Sequence, residues 1–393
     1  MRSKIAIVGA GPAGASLAIR LALQNFEVRL IEREKFPRHK LCGEFISPEC
    51  LKHFEDLGVL GDILLAGGEQ ITETRFYEQG GRNVAVPSKW FGGGFALSLS
   101  RAEMDMRLLN RARAVGVEVL DGTAVTGIHS LGSSVCSIAV TGSGKSIAIK
   151  ADLFIDATGR ARALARLVER SEYPQNAKAA SRKSVLVGFK AHLRGARPAK
   201  GRCEIYSFRG GYGGLCGIEN GWANHCFLVK PEVAREFGGN ADRIVENVVL
   251  KNQRAAETLE YAEPVGGWLA VSIDHFGRSD LNPAPNLFSV GDSAAFIDPF
   301  TGSGMLMALE SSGVLAKCIR ECEFSPEKLS QRYERTYWSN FAGRLRICSI
   351  LRTAALAPHL AKFVISILRI SKSGRETLAQ STRQKIGRLR KNS

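Results

Sequence analysis

"KIAIVGAGPAGASLAIRLAL", residues 4–23, joins a β-branched run to a glycine-rich turn and an alanine- and leucine-rich segment. The run at 4–8 predicts a buried parallel strand, and the segment after the turn predicts a helix. Between them, Gly9, Gly11 and Gly14 have the spacing Gly-x-Gly-x-x-Gly. The first glycine permits a tight turn, the second lets a pyrophosphate approach the backbone, and the third lets the helix pack closely on the strand. The stretch therefore predicts a dinucleotide-binding unit.

The next strand supplies the acid that such a unit uses. "EVRLIER", residues 27–33, predicts a second strand, and Glu32 near its end lies 18 positions after Gly14. A carboxylate there can accept hydrogen bonds from both ribose hydroxyls, while the helix N-terminus favours the phosphates. NAD and FAD both use this unit, so these residues leave the choice of cofactor open.

A second glycine signature favours FAD. "NLFSVGDSAAFIDPFTGSGM", residues 286–305, places Asp292 after a predicted strand and Gly302 and Gly304 before a predicted helix. The carboxylate can bind the ribityl or ribose part of a long cofactor, and the helix start can direct N–H groups towards an electron-rich ring edge. A nicotinamide dinucleotide does not require this second signature, whereas a flavin dinucleotide that spans the fold does.

Short, glycine-punctuated strand patterns interrupt the first unit and predict a second domain. The expected fold class is α/β (α+β): a Rossmann-type dinucleotide-binding domain interrupted by a β-rich second domain, with C-terminal helices. We assign residues 1–50, 99–180 and 281–325 to a discontinuous FAD-binding domain, 51–98 and 181–280 to the second domain, and 326–393 to a C-terminal helical segment with a basic tail.

Composition limits the other function classes. Nine cysteines without CxxC pairs, and seven histidines without ligand spacing, favour a reducing cytoplasm and no metal site. Of the net charge of +16, +11 lies in residues 344–393, which hold 12 Lys/Arg and one acid. The rest of the chain lacks a basic recognition helix or a pattern of stacking aromatics, so we expect no nucleic-acid partner. The tail has two interpretations: peripheral contact with the inner face of a membrane, or a packed C-terminal helix followed by a solvated end.

Four motifs in order resemble the FAD-dependent oxidoreductases of the para-hydroxybenzoate hydroxylase superfamily. They are "GAGPAG…LIER", "SRAEMDMRLL", "DLFIDATGRARALAR" and "LFSVGDSAAFIDPFTGSGM", which together cover roughly residues 1–320. Within that superfamily, "FPRHKLCGEFISPECL" looks most like the geranylgeranyl reductase family. The resemblance implies a Rossmann-type FAD-binding domain interrupted by an antiparallel β-sheet substrate domain, which is the second domain above. It also implies FAD as the cofactor, and NAD(P)H or a redox partner as the source of electrons.

The resemblance also implies which residues bind FAD. The pyrophosphate would contact the first glycine turn, Glu32 and Arg33 would flank the adenosine, and the second signature would contact the ribityl chain and the isoalloxazine. The full set of cofactor-binding candidates is Gly9, Gly11, Pro12, Ala13, Gly14, Glu32, Arg33, Lys40, Cys42, Gly43, Arg101, Ala124, Val125, Gly291, Asp292, Gly302, Ser303, Gly304 and Met305.

Three residues are candidates for catalysis, each with an ordinary alternative. Cys42 can be reactive beside basic neighbours, or it can be a small apolar residue of the pocket wall. Glu44 can serve as an acid in a partly apolar pocket, although a surface or loop-capping carboxylate is the expected role. Tyr212, together with Phe300, can line the substrate space or belong to the core.

Two departures from the family pattern bear on the reaction. The chain has Asp156-Ala157-Thr158-Gly159 where superfamily hydroxylases carry an Asp-Gly pair that is associated with FAD and NAD(P)H, which weighs against direct nicotinamide use. At 211–216 it has GYGGLC where flavin halogenases carry a Trp-x-Trp-x-x-Pro strand, which disfavours halogenation.

The expected function is therefore FAD-dependent reduction of a C=C bond, by hydride transfer, in an apolar small molecule such as an isoprenoid, lipid or polyketide-like compound. An aromatic monooxygenase that uses NAD(P)H and oxygen is the alternative. A sensory flavoprotein without turnover is a further one.

Overall fold

The computed structural model describes residues 3–172, 184–356, 365–366, 369 and 371–383. The elements of its first half are β1 (Lys4–Val8), α1 (Pro12–Leu23), β2 (Glu27–Ile31), β3 (Phe45–Ile46), α2 (Pro48–Asp56), α3 (Leu60–Leu64), β4 (Glu69–Ile71), β5 (Glu73–Tyr77), β6 (Asn83–Pro87), β7 (Ala96–Ser98), α4 (Arg101–Ala114), β8 (Glu118–Leu120), β9 (Thr123–Leu131), β10 (Ser134–Gly142), β11 (Lys145–Lys150), β12 (Leu153–Asp156) and α5 (Ala163–Glu172).

The remaining elements are β13 (Leu186–Arg194), β14 (Arg202–Phe208), β15 (Gly211–Gly217), β16 (Ala223–Val229), α6 (Pro231–Glu236), α7 (Ala241–Asn247), α8 (Gln253–Leu259), β17 (Glu263–Ile273), β18 (Gly277–Arg278), β19 (Leu287–Ser289), β20 (Ala295–Phe296), α9 (Gly304–Glu321), α10 (Pro326–Ala355) and α11 (Lys372–Ser381).

A parallel sheet organises the nucleotide-binding part of the fold. Five of the described strands pair in the order β19-β12-β1-β2-β8, and every neighbouring pair is parallel. The helices α1, α4 and α9 pack together beside this sheet, since their apolar faces share one buried cluster with its strands. Strands buried on both faces read as continuous apolar runs, as 4–8 does. The predicted fold class is confirmed.

A larger sheet forms the second layer. Its strands lie in the order β17-β13-β16-β15-β14-β5-β6, and all of these pairs are antiparallel except β14 with β5. One face packs against α6, α7 and α8 through a core that includes Phe189, Tyr206 and Phe227. The other face carries Lys190 and Tyr212 and meets the parallel-sheet part of the chain. Side chains alternate between the two faces, as strand geometry requires.

The assignment of residues 51–98 to the substrate domain needs a correction. Only β5 and β6 of this segment join the large sheet. Phe54, Leu57 and Ile63, on and around α2 and α3, are buried in the core beside the parallel sheet, because the apolar face of α2 packs on α9. The strands β4 and β7 form a small sheet with β3.

The C-terminal part is helical as far as it is described. The long helix α10 packs on α9, and α11 packs beside β6 and the turn at Ser88–Phe91. The basic end of the tail, residues 384–393, lies outside the described residues, as do 357–364. Every described helix is too short or too polar to cross a membrane.

We predict that the substrate sheet depends on its aromatic core. Phe227 is 1% exposed and stacks on Phe189 with ring centroids 5.1 Å apart. Replacing Phe227 by alanine should lower the free energy of unfolding by about 3–5 kcal/mol in a urea titration, because it removes apolar contacts and leaves a cavity. As a control, Leu65→Ala, at a side chain that is 85% exposed, should change it by less than about 0.5 kcal/mol. Equal effects would contradict this packing.

Candidate functional site

The turn after β1 leaves no room for side chains at two of its glycines. Gly9 has a φ of +103°, and a Cβ built on it would lie 2.3 Å from the Ala157 carbonyl oxygen. A Cβ on Gly14 would lie 1.9 Å from the Gly9 carbonyl oxygen. The helix α1, which begins at Pro12, is thereby pressed against β1 and β12. Gly11 differs, since the described atoms nearest to a Cβ there, beyond its chain neighbours, would be Arg101 Nη2 at 3.7 Å and Arg38 Nη2 at 4.0 Å.

Glu32 is buried at the end of β2, where it is joined to the turn. Its Oε2 accepts a hydrogen bond from Ala10 N at 2.9 Å. Its carbonyl oxygen accepts one from Thr123 N at 2.8 Å, so β9 begins beside Glu32 and carries Ala124 and Val125 with it. These candidates for the adenosine end therefore lie together. Arg33 does not join them through its side chain, which is exposed and pairs with Glu34 at 3.2 Å.

A cationic cluster surrounds the open space at Gly11. Asp105 holds two guanidinium groups, with Arg38 Nη1 at 2.8 Å from Oδ2 and Arg101 Nε at 2.9 Å from Oδ1. Burial lowers the pKa of Lys40, and the charge of Arg38 lowers it further. Positive charge beside an open helix N-terminus is the arrangement that binds a pyrophosphate.

The sequence analysis missed Arg38 and Asp105 as parts of this cluster. Asp105 follows Arg101 by one helical turn in "SRAEMD", and that spacing could have revealed the ion pair. The contribution of Arg38 depends on the folding of its loop towards Asp105, which no local pattern shows.

Gly291 and Asp292 lie on the other side of α1. A Cβ on Gly291, which has a φ of +65°, would lie 2.7 Å from Ala13 Cβ, so the turn packs directly on the helix. Asp292 is half-buried. Burial raises its pKa to about 6, although the nearby charges of Arg160 and Arg101 oppose the shift. The carboxylate therefore lies within reach of the same cationic region as the glycine turn.

The loop at 41–45 lies between the two sheets. The half-buried Cys42 thiol lies beside the Arg101 guanidinium and accepts a hydrogen bond from Glu44 N at 3.3 Å. A Cβ on Gly43 would meet nothing within 4 Å among the described residues outside its own turn. The backbone of Gly43 therefore borders open space. Whether Cys42 does chemistry or forms the wall stays a prediction.

Glu44 is not a surface carboxylate. It is fully buried, and it pairs with Lys190 Nζ and with His192 Nε2, the latter at 2.8 Å. Its Oε1 also accepts a hydrogen bond from Arg101 N at 2.8 Å, so the capping role is present at the start of α4. Burial raises its pKa, but the hydrogen bond from His192 and the charge of Lys190 outweigh burial and lower it. In "VGFKAHL" two polar residues share one face of an apolar strand, which was the available signal.

The second glycine signature packs against β3 of the small sheet. Gly302 has a φ of +61°, and a Cβ there would lie 3.0 Å from Phe45 Cδ1. Ser303 precedes α9, which begins at Gly304 with the buried Met305. Ser303 Oγ also accepts a hydrogen bond from Arg383, a residue beyond α11 that the sequence analysis did not consider.

Tyr212 is buried where β15 faces this signature. Its hydroxyl donates to Asp298 Oδ1 at 2.5 Å, and its ring meets the edge of Phe300 with centroids 5.1 Å apart. An aromatic cluster, defined by the buried Leu186, Tyr212, Leu228 and Ile273 with the partly buried Phe276, Phe296, Phe300 and Leu356, surrounds the pair. The predicted lining residues Tyr212 and Phe300 therefore lie together in one apolar region next to Gly302.

These features fit one class of cofactor. The turn at Gly9–Gly14 provides space and backbone N–H groups, the Asp105 cluster provides positive charge, and Glu32 and Asp292 provide acceptors for sugar or ribityl hydroxyls. Among the described residues, no group of His, Cys, Asp or Glu is placed to hold a metal ion. The fold and the site define a flavin-dinucleotide oxidoreductase.

Comparison with known families agrees with that class. A family model described as "FAD binding domain" matches residues 2–334, so the chain belongs to this family of FAD-dependent oxidoreductases. The geranylgeranyl reductase branch is not singled out by this match.

Curated relatives include both reductases and halogenases. The chain is 27% identical over 354 residues to a tryptophan 2-halogenase of Chondromyces crocatus, covering 86% of this chain and 66% of the halogenase. It is 25% identical to a menaquinone reductase of Mycolicibacterium smegmatis, covering 92% and 86% of the two chains. It is also 25% identical to a digeranylgeranylglycerophospholipid reductase of Methanosarcina acetivorans, covering 85% and 80%.

Solved structures share the fold. A flavin-dependent brominase has a TM-score of 0.79 at 17% identity, with 97% of this chain and 93% of the brominase covered. A geranylgeranyl bacteriochlorophyll reductase-like protein from Thermoplasma acidophilum has a TM-score of 0.77 at 18% identity, with 97% and 96% covered.

We predict that Asp292 contributes to FAD retention through its charge. Asp292→Asn keeps the shape of the side chain but removes a charged acceptor, so FAD affinity should fall roughly 10- to 100-fold, as expected for a charge-assisted hydrogen bond. Flavin fluorescence during titration of the apoprotein measures this change. Asp280→Asn, at an exposed residue, is the matched control, and equal affinity of the two variants would refute the role.

We predict that Cys42→Ser retains FAD. The thiol lies next to Arg101, but Asp105 holds that guanidinium by two hydrogen bonds that the change leaves intact. The ratio of bound flavin to protein after gel filtration should stay within twofold of wild type. Loss of FAD from this variant alone would show that Cys42 is part of the cofactor site.

Proposed function

We propose that this protein reduces a C=C bond of an apolar small molecule, of the isoprenoid, lipid or polyketide-like class, with electrons carried by FAD. The observation that carries the proposal is the aromatic cluster around Tyr212. It lies between the large sheet and the turn that leads to Gly302, where the flavin ring is expected. Apolar walls with a few convergent polar groups are typical of small-molecule sites.

The chemistry that FAD supplies when bound is the two-electron transfer of a hydride. The chain's own residues would hold the cofactor at Gly9–Gly14, Glu32, Arg101 and Asp292, and would exclude water at the aromatic cluster. Exclusion of water strengthens every electrostatic interaction in the site and protects a reduced intermediate from side reactions.

Relatives with reductase names support this choice. A menaquinone reductase and a digeranylgeranylglycerophospholipid reductase both align over most of their own length with this chain. Each of these names refers to a compound with an isoprenoid chain as the substrate. We transfer that class, and no particular compound, to this protein.

The proposal also concerns the source of electrons, which is a redox partner or NAD(P)H. Asp156, at the position of the family's Asp-Gly pair, is occupied by structural bonds: Oδ2 accepts from Leu164 N at 2.9 Å and Ala165 N at 3.1 Å, and Oδ1 accepts from Thr158 and Ser293. A carboxylate so engaged at the start of α5 favours a redox partner over direct binding of NAD(P)H, which remains the alternative donor.

Two other reactions compete with reduction. An aromatic monooxygenase is the alternative from the family resemblance. The relative named tryptophan 2-halogenase supports halogenation. Against it, β15 has the sequence GYGGLCG and lacks the tryptophans of the halogenase strand. Both alternatives need oxygen, whereas C=C reduction does not.

We extend the proposal to where the protein acts in the cell. A cytoplasmic enzyme could reach a lipid substrate if the basic tail contacted an anionic membrane surface. Because residues 384–393 lie outside the described residues, this contact stays a prediction.

Anaerobic turnover tests the function. The holoprotein, reduced with dithionite in the absence of oxygen, is mixed with menaquinone-4 or with geranylgeranylglycerol lipids, and products are analysed by mass spectrometry. We expect a product that gains two hydrogen atoms in the isoprenoid chain. A product that forms only with oxygen and contains an added oxygen or halogen atom would instead establish one of the competing reactions. Protein from which FAD has been removed is the control.

A further inference from the structure

Tyr212 and Asp298 form a polar pair inside an otherwise apolar region. The phenol oxygen lies 2.5 Å from Asp298 Oδ1, and the same carboxylate oxygen accepts a hydrogen bond from Phe300 N at 2.9 Å. Asp298 is 3% exposed, and its Oδ2 has no hydrogen-bond partner among the described residues. A buried carboxylate oxygen without a partner is costly when ionised. The cost falls when the carboxyl carries a proton.

The pair lies where the two parts of the site meet. Tyr212 belongs to β15 of the large sheet, whereas Asp298 begins the turn Pro299–Thr301 that leads to Gly302 and α9. Around the pair lie the apolar residues of the aromatic cluster, and the guanidinium groups of Arg352 and Arg160 cover the rings of Phe276 and Phe296 in that cluster. A group held there adjoins both the expected substrate space and the expected flavin ring.

We propose that Tyr212 and Asp298 deliver the proton that completes reduction of the substrate; this inference rests on the proposed reductase function. Addition of hydrogen across a C=C bond requires a hydride at one carbon and a proton at the other. Tyr212 is the proton donor at the second carbon, and Asp298 is the positioning residue that restores its proton.

Atoms and electrons balance in this step. A hydride, which FAD would supply when bound and reduced, brings the electron pair for the first C–H bond. The π electron pair of the alkene forms the second C–H bond with the Tyr212 proton, and the electron pair of the broken O–H bond remains on the phenol oxygen. The Asp298 carboxyl, which can carry its proton on the unpartnered Oδ2, then turns that oxygen towards the phenolate and returns a proton to it. The carboxylate takes up a new proton from solvent after the product leaves.

The electrostatics of the pair keep the phenol protonated until the step. Burial raises the pKa of Tyr212, and the charge of Asp298 raises it further. Burial also raises the pKa of Asp298, against the hydrogen bonds from Tyr212 and Phe300 N and the charge of Arg352. The other titratable groups that face the pair are the thiols of Cys226 on β16 and Cys348 on α10.

Two measurements test the pair, one of them independent of turnover. With ¹³C-labelled tyrosine, the resonance missing from Tyr212→Phe identifies Tyr212 in the NMR spectrum of the holoprotein. We expect its titration midpoint to lie well above that of a free tyrosine and to fall in Asp298→Asn, because the Asp298 carboxylate, once it has given up its proton, opposes formation of the phenolate and the amide does not. A midpoint that does not respond to Asp298→Asn would contradict the shared proton.

The second measurement follows anaerobic reduction of the C=C bonds of a geranylgeranylglycerol lipid over a range of pH. Tyr212→Phe keeps the ring that packs on Phe300, so FAD retention should be unchanged while the rate of product formation falls by roughly 100-fold or more, as expected for loss of a general acid. Asp298→Asn should also lower the rate and change its pH profile. Tyr261→Phe, at a side chain that is 56% exposed, is the matched control and should keep the wild-type rate and profile.

The outcomes separate the two proposals. An active wild type with an equally active Tyr212→Phe variant overturns the proton role but leaves the reductase function standing. A wild-type protein that retains FAD but leaves every isoprenoid probe unreduced overturns the reductase function, and the proton role with it.

Discussion

One buried carboxylate, that of Glu44, joins the two layers on which the site depends. It accepts a hydrogen bond from Arg101 N at the start of α4 and pairs with Lys190 and His192 on β13. A buried ion pair adds little stability when complete, but loss of one partner leaves an uncompensated charge that costs about 3–5 kcal/mol. The contact therefore fixes where the substrate sheet lies relative to the nucleotide-binding part. Glu44 also has a φ of +55°, a conformation that its partners must hold in place.

That fixed relation produces two regions of different chemistry on either side of the loop at 41–45. On one side, Asp105 keeps two guanidinium groups together beside Gly11, which suits the charge of a pyrophosphate. On the other side, the aromatic cluster encloses a single short polar contact between Tyr212 and Asp298. A cofactor with a charged middle and an electron-carrying ring fits between a cationic region and an apolar one.

The parts of this site that follow from local chain geometry were predictable from the sequence. The spacing of Gly9 and Gly14 indicates a tight turn and close helix packing, which leave no room for side chains at these positions. The second signature at Gly302 likewise indicates a turn followed by a helix. Glu44 and Asp298 were not predictable in the same way, because their burial depends on strands more than 80 residues away in sequence. Long-range pairing decides whether a polar residue in a loop meets water or a partner, and no periodicity reports it. The same holds for Arg383, which reaches Ser303 from beyond α11.

Membership of the FAD-binding family sets the cofactor, whereas the reaction depends on what reoxidises the flavin. Stopped-flow absorbance of the holoprotein, reduced with one equivalent of dithionite and mixed anaerobically with a geranylgeranylglycerol lipid, measures this directly when the product is analysed by mass spectrometry, because this lipid has no quinone ring to accept the electrons. We predict that the oxidised flavin spectrum returns without oxygen, with one flavin reoxidised for each isoprenoid double bond reduced. A flavin that stays reduced until oxygen is admitted would contradict the reductase function.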